Sequence, residues 1–178
     1  MHCPKCRTEY LKPTRLDEGL PVMGCRHCEG MLISLLYYRD WSERVVVEAE
    51  ESAEYEALAL NTDSKSALCC PKCSRLMTKY GVTGALDTRL DLCGHCDEAW
   101  LDGGEWQLLK SLQLGNKLPS VFTDHWQRKV RSEKAEISRV QRLNRVAGDA
   151  DTEKAVEIKT WLKGHPHRAA LLHFLGTD

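Results

Sequence analysis

Eight of the nine cysteines in this 178-residue chain fall into four Cys-x-x-Cys pairs, and the pairs are themselves repeated. Cys3-Pro4-Lys5-Cys6 is followed after 18 residues by Cys25-Arg26-His27-Cys28, and Cys70-Pro71-Lys72-Cys73 after 19 residues by Cys93-Gly94-His95-Cys96. Both halves open on CPKC and close on CxHC, so one unit occurs twice at a period of about 67 residues. Two sulfurs three positions apart on a tight turn can aim at one point, and two such turns facing each other make a tetrahedron of thiolates.

That tetrahedron is the geometry zinc accepts without penalty, with Zn–S bonds of about 2.3 Å. The metal ligands read from the spacing are Cys3, Cys6, Cys25 and Cys28 for one ion and Cys70, Cys73, Cys93 and Cys96 for a second. Four thiolates close the coordination sphere and leave no position for water or substrate, so the two zinc ions are expected to be structural. Iron in the same four-cysteine sites and disulfides are the competing readings. Met1-His2-Cys3-Pro4 lacks the charged-then-apolar signature of a leader and no apolar run is long enough for a bilayer, so the expected location is cytoplasmic, where thiols stay reduced. Cys69 is read as an unliganded thiol beside its knuckle, and His27 and His95 as knuckle residues pointing outward.

Between the knuckles, Glu9–Leu11 with Leu20–Met23, and Leu76–Tyr80 with Arg89–Leu92, read as short strands of hairpins. Lys5 and Lys72 can offset part of the negative charge of a tetrathiolate centre. Asp102-Gly103-Gly104-Glu105 has the form of a capping box, with Asp102 capping a helix over 104–114, Glu105 reaching back, and Trp100 and Leu101 packing that helix onto the hairpin. Trp100, Asp102 and Glu105 are therefore read as structural.

Residues 93–106, CGHCDEAWLDGGEW, together with Cys70-Pro71-Lys72-Cys73, resemble the bacterial transcription-factor-type zinc finger, the TFIIB-like zinc ribbon family. The matching positions are Cys70, Cys73, Cys93, Cys96, Trp100, Leu101, Asp102, Gly104 and Glu105, within about forty residues of the second unit. The first unit keeps its four cysteines and Gly30, then reads Met31-Leu32-Ile33-Ser34 with no WLDxGE equivalent. The resemblance implies metal binding and a link to transcription.

Outside the ribbons, charge is uneven although the net charge is only −1. Residues 41–68 hold two basic and seven acidic side chains, and 117–178 twelve basic and eight acidic. Asp40-Trp41-Ser42-Glu43 reads as another capping box, opening an acidic helix over about 41–60 in which Trp41, Val45, Ala49, Ala53 and Ala57 recur every fourth residue. Asn61–Ser66 reads as a linker. Beyond Pro119 a long helix is expected from Asp124 to Ala147, with Gln127 as capping partner and a narrow apolar seam. Two short helices follow, over 152–163 and 166–175, with Gly164 as a stop and Pro166 as a first-turn residue. Arg128, Arg131, Arg139, Arg142 and Arg145 lie broadly on one side of the long helix and could neutralise phosphates or an acidic partner. Its seam could equally serve self-association. His165, His167 and His173 read as turn and packing residues.

The sequence thus predicts an α+β, small metal-stabilised protein: a divergent first zinc ribbon (1–40), an acidic helix and linker (41–67), a second ribbon with capping helix (68–118) and a helical, partly basic region (119–178). No nucleotide loop, nucleophile elbow or HExxH is present, and no enzyme is expected. The expected function is a zinc-binding, non-enzymatic interaction protein whose partner is a protein or nucleic acid in a transcription-related role. A protein-only adaptor or assembly factor, and a thiol redox or metal-handling protein, are the other readings.

Overall fold

A computed structural model describes residues 1–45 and 65–177, except for the side chain of Glu18. Its contacts divide the chain into a unit over Met1–Glu133 and a second over Lys134–Asp178. No described helix is long and apolar enough to cross a membrane.

The first unit is built on one six-stranded antiparallel sheet. Each cysteine repeat contributes three strands: β1 (Lys12–Arg15), β2 (Pro21–Gly24) and β3 (Met31–Ser34) from the first, β4 (Thr78–Gly81), β5 (Arg89–Cys93) and β6 (Glu98–Leu101) from the second. The order is β1-β2-β3-β6-β5-β4, so the two repeats join through their third strands. There Leu32 faces Trp100 and Ile33 faces Ala99. Counted from Cys25 and Cys93, Leu32 and Trp100 hold the same place in their repeats, so the junction lies on a local two-fold axis.

The expected hairpins are present with shifted strands: β1 lies after Glu9–Leu11, and Leu76 forms only an isolated bridge with Cys69. The third strand of each repeat is an addition to what the sequence predicts. Met31-Leu32-Ile33-Ser34 is the structural counterpart of Ala99-Trp100-Leu101-Asp102, and like it leads into a helix, α1 (Leu35–Ser42) after β3 and α2 (Glu105–Ser111) after β6. Asp40 therefore sits inside α1 rather than opening a helix, and the remainder of the acidic helix expected over 41–60 falls almost wholly outside the described residues.

Alternation splits the sheet into two faces. Met31, Ile33, Ala99 and Leu101 turn towards α1, α2 and a short helix α3 (Leu118–Val121), meeting Tyr38, Trp41, Trp106 and Leu109 in one large core. Tyr38 and Trp106 are counterparts in the two repeats, and both are 0% exposed. The Tyr38 hydroxyl donates to Gly115 O (2.6 Å) and accepts from Leu118 N–H (3.1 Å), closing the chain over the core. One large core is possible in so small a unit because sharing a sheet lets each repeat lend its apolar face to the other. Opposite, Leu32 and Trp100 join Leu11, Leu68, Met77 and the cysteines.

The sheet has two edges, treated differently. At β4, the long helix α4 (Asp124–Ala147) sets Gln127 against the strand: its amide nitrogen donates to Gly81 O (2.9 Å) and its amide oxygen accepts from Gly81 N–H (3.2 Å). Trp126 Nε1 donates to Val82 O and Glu133 accepts from Gly84 N–H. Gln127 thus clamps an edge rather than capping its helix; the cap is Thr123, whose hydroxyl accepts from Trp126 N–H (3.2 Å). Edge strand β1 carries Lys12, Pro13 and Arg15, residues that discourage further strand pairing.

The second unit comprises the rest of α4, then α5 (Asp149–Leu162) and α6 (Arg168–Leu175). Lys159 of α5 pairs with Glu136 of α4. Gly164, at φ 90°, supplies the left-handed stop after α5, but α6 begins at Arg168, so Pro166 lies in the turn ahead of it.

Candidate metal centres

The two sets of four cysteines converge as the spacing requires. In each, the sulfurs of Cys3, Cys6, Cys25 and Cys28, or of Cys70, Cys73, Cys93 and Cys96, lie within 4.8 Å of one another. Cys3 and Cys28 sulfurs are 3.6 Å apart, Cys6 and Cys25 3.9 Å, Cys73 and Cys93 3.6 Å. A tetrahedron with bonds of about 2.3 Å has edges of about 3.8 Å, so these spacings fit a single four-coordinate ion. They are far beyond a sulfur–sulfur bond of about 2.05 Å, and every cysteine is a free thiol. Each group is thus able to hold a metal ion.

The backbone explains the convergence. After the second cysteine of every pair comes a left-handed residue: Arg7 (φ 64°), Glu29 (56°), Ser74 (60°) and Asp97 (53°). That conformation folds the chain back on itself, so Arg7 N–H donates to Cys3 O (2.9 Å), Ser74 N–H to Cys70 O (2.8 Å) and Asp97 N–H to Cys93 O (3.0 Å). Backbone N–H groups also point at sulfur, as Cys6 N–H does at Cys3 Sγ (3.3 Å). The strain at four non-glycine positions is local, costs on the order of 1 kcal/mol each, and is what turns each pair into a knuckle.

Within each cluster some thiols are pushed up and another is brought down. Burial pushes Cys6 up to about 11 and Cys28 further still, whereas burial is outweighed at Cys25 by backbone N–H bonds that lower it. In the second cluster the Arg75 backbone brings Cys73 down to about 7, and its bond to Cys73 drives Cys96 up to about 12. A divalent cation stabilises all four thiolates at once.

The centres are tied to each other's repeats. Lys5 of the first knuckle pairs with Asp102 (3.2 Å) of the second repeat, whereas Lys72 pairs within its own repeat, with buried Glu98. Leu35 N–H, at the start of α1, donates to Asp97 O in the second centre's knuckle (2.9 Å). In return, Gly103 rests on the first centre's knuckle, where a Cβ would come within 2.8 Å of Cys28 O.

Asp102 and Glu105 are 2% and 1% exposed. The Glu105 carboxylate accepts from Asp102 N–H (2.7 Å), as a capping box requires, while Asp102 Oδ1 accepts from Trp100 Nε1 (3.0 Å). The residue at the helix cap itself is Gly104, in the left-handed conformation at φ 86°. A further pair, half-buried Lys79 Nζ to buried Asp91 (2.8 Å), lies on the Trp100 face and has no signal in the sequence. Only strand register shows that these two residues are opposed.

Elsewhere, Cys69 is exposed and outside the cluster, and His95 is exposed. His27 Nδ1 lies 3.3 Å from Cys6 Sγ, a contact to a ligand sulfur rather than a place among the converging donors. His165 Nδ1 accepts from His167 N–H (3.1 Å), which makes the histidine pair part of a turn. Arg128, Arg131, Arg139, Arg142 and Arg145 of α4 place no side chain in the buried core. On α4, Glu136 pairs with Arg139 as well as with Lys159, and Glu133 accepts from Gly84 N–H.

The fold and site define an α+β protein with two four-cysteine groups, each able to hold a metal ion. No family model, no curated protein and no solved structure matches the chain.

Proposed function

We propose that this chain is a zinc-stabilised, non-enzymatic interaction protein in which two structural zinc ions fasten tandem zinc ribbons into one platform. The observation that carries the reading is the pair of closed four-cysteine groups, each with every donor drawn from the same residue type and each in contact with the residues that lead into the other repeat's helix. A centre with four protein thiolates has no open coordination position and does no hydrolytic chemistry, so function belongs to surfaces. The resemblance of Cys93–Trp106 to transcription-factor-type zinc fingers supports a transcription-related setting.

Two experiments test this. Metal analysis of the protein should find about two zinc ions per chain, and a thiol reagent should then modify Cys69 alone, the other eight cysteines reacting only after chelation. A chain that stays folded when stripped of metal, with thiols that cycle through disulfides, would instead be a redox or metal-handling protein. The second experiment concerns the arginines of α4, which support contact with a polyanion. Five phosphate contacts predict a slope near −4.5 in log K against log salt, a loss of about 500-fold in duplex affinity between roughly 50 and 200 mM salt. Replacing Arg139, Arg142 and Arg145 by serine should flatten the slope to about −2. Binding that is absent, or indifferent to salt, leaves the protein-only adaptor.

A further inference from the structure

The Lys134–Asp178 unit exposes far more apolar surface than a finished helical assembly does. Among its described residues only Thr152 and Leu162 are buried. Phe174 is 75% exposed, Leu175 62%, Trp161 57% and Leu172 47%. Helix α6, Arg168-Ala169-Ala170-Leu171-Leu172-His173-Phe174-Leu175, carries one fixed charge, at its first position. Between α5 and α6 runs a groove of about 490 Å³ floored by Ala155, Ile158, Leu162, Leu172 and Leu175. Its polar rim is made of Lys159, Lys163 and Arg168, and no carboxylate lines it among the described residues. Lys159 is already engaged by Glu136, which leaves Lys163 and Arg168 to define the charge of the rim.

We infer that this groove receives an amphipathic helix of a partner protein, seating aliphatic side chains on the floor and carboxylates against Lys163 and Arg168. This rests on the reading of the chain as an interaction protein and names the chemistry of one partner. The shape selects a helix. Both walls are helices whose backbone groups bond internally, so there is no strand edge to extend, and no aromatic pair lines the groove to grip a polyproline segment. An eight-residue wall is about 12 Å long, the rise of two helical turns, which suits anchors at positions i, i+3 or i+4, and i+7. The charge selects an acidic flank: carboxylates beside the anchors meet two cations on the rim, whereas a basic flank would be repelled. A nucleic-acid phosphate fits the rim but would leave the apolar floor wet.

The test uses the zinc-loaded full chain and a fluorescein-labelled synthetic helix of about 16 residues, with leucines at the anchor positions and glutamates flanking them. Saturable anisotropy is expected, weakened about tenfold or more by Leu172→Asp and, separately, by Lys163→Glu with Arg168→Glu. All three positions border solvent, so circular dichroism should be unchanged. The charge-reversed protein should prefer the same peptide with lysines in place of glutamates. Absence of binding, or binding indifferent to both variants, overturns the inference. So does a sedimenting dimer that Leu172→Asp dissociates, since a second copy would then fill the groove. Zinc content and the salt slope of the α4 arginine surface are read on the same variants; if both hold while the peptide fails, the groove is refuted and the broader reading stands.

Discussion

On the proposed zinc reading, replacing Cys93 by serine is expected to empty the second four-cysteine group and to loosen the first, leaving fewer than one tightly held zinc per chain. Cys93 is 1% exposed, ends β5 and sits 3.6 Å from Cys73 Sγ. Its loss removes one of four donors and leaves a buried hydroxyl where a thiolate stood. A structural tetrathiolate zinc contributes about 10–16 kcal/mol of apparent folding free energy, as much as the whole net stability of an ordinary domain. The effect spreads because the centres share neighbours. Cys3 and Cys25 belong to the same buried cluster as Cys70, Cys93, Leu32 and Trp100. The knuckle around Cys96 holds the start of α1 through Asp97 O, and the knuckle around Cys28 seats Gly103. A melt of Cys93→Ser should therefore lose its cooperative transition over Met1–Glu133, and Cys3→Ser should do the same from the other side. Isothermal titration would then show the intact protein taking up its two metals cooperatively. A variant retaining one zinc at full affinity, with hydrogen exchange around Cys3–Cys28 unaltered, would mean independent centres and would sink the argument.

What is legible in the sequence follows from which constraints are local. The eight ligands and their grouping are readable because cysteine spacing directly encodes the knuckle, and the two groups of four converge accordingly. The left-handed residues Arg7, Glu29, Ser74 and Asp97 carry no glycine or shared side chain to announce them, yet the ligand geometry forces all four. The third strands are not readable. Met31–Ser34 and Glu98–Leu101 are buried on both faces, so neither shows the alternation that marks a half-exposed strand, and each owes its conformation to the other repeat. Trp100 and Leu101 are both expected to pack a helix; in fact Leu101 faces the helices and Trp100 faces the cysteine clusters. The divergence of Leu32-Ile33-Ser34 from Trp100-Leu101-Asp102 hides their equivalence, because the two sequences solve one packing problem with different shapes.

That difference in shape is the basis for the second large effect: Gly30→Ala is expected to cost at least about 3 kcal/mol, equivalent to a fall of roughly 10 °C in Tm for a unit of this size. A Cβ at position 30 would overlap Cζ2 of Trp100 and lie 3.0 Å from Cη2. The indole cannot retreat. It is 0% exposed, its Nε1 is bonded to Asp102 Oδ1, and its strand is held between β3 and β5. Gly30 cannot retreat either, since its carbonyl accepts from Cys25 N–H (2.8 Å) and so belongs to the first centre's knuckle. On the other side of the two-fold axis the same place is filled by Leu32 and Glu98, a smaller side chain beside a larger one, with Lys72 neutralising the carboxylate. The pairs are complementary in volume: indole over glycine on one side, leucine beside glutamate on the other. Trp100→Leu alone should also be costly, by about 2–4 kcal/mol, through the cavity it leaves. If the two positions share one space, the double variant loses less than the sum of the single losses, by about 1–3 kcal/mol. Strict additivity in denaturant melts of the zinc-loaded proteins would show that the clash is relieved elsewhere and that the complementarity carries no energy.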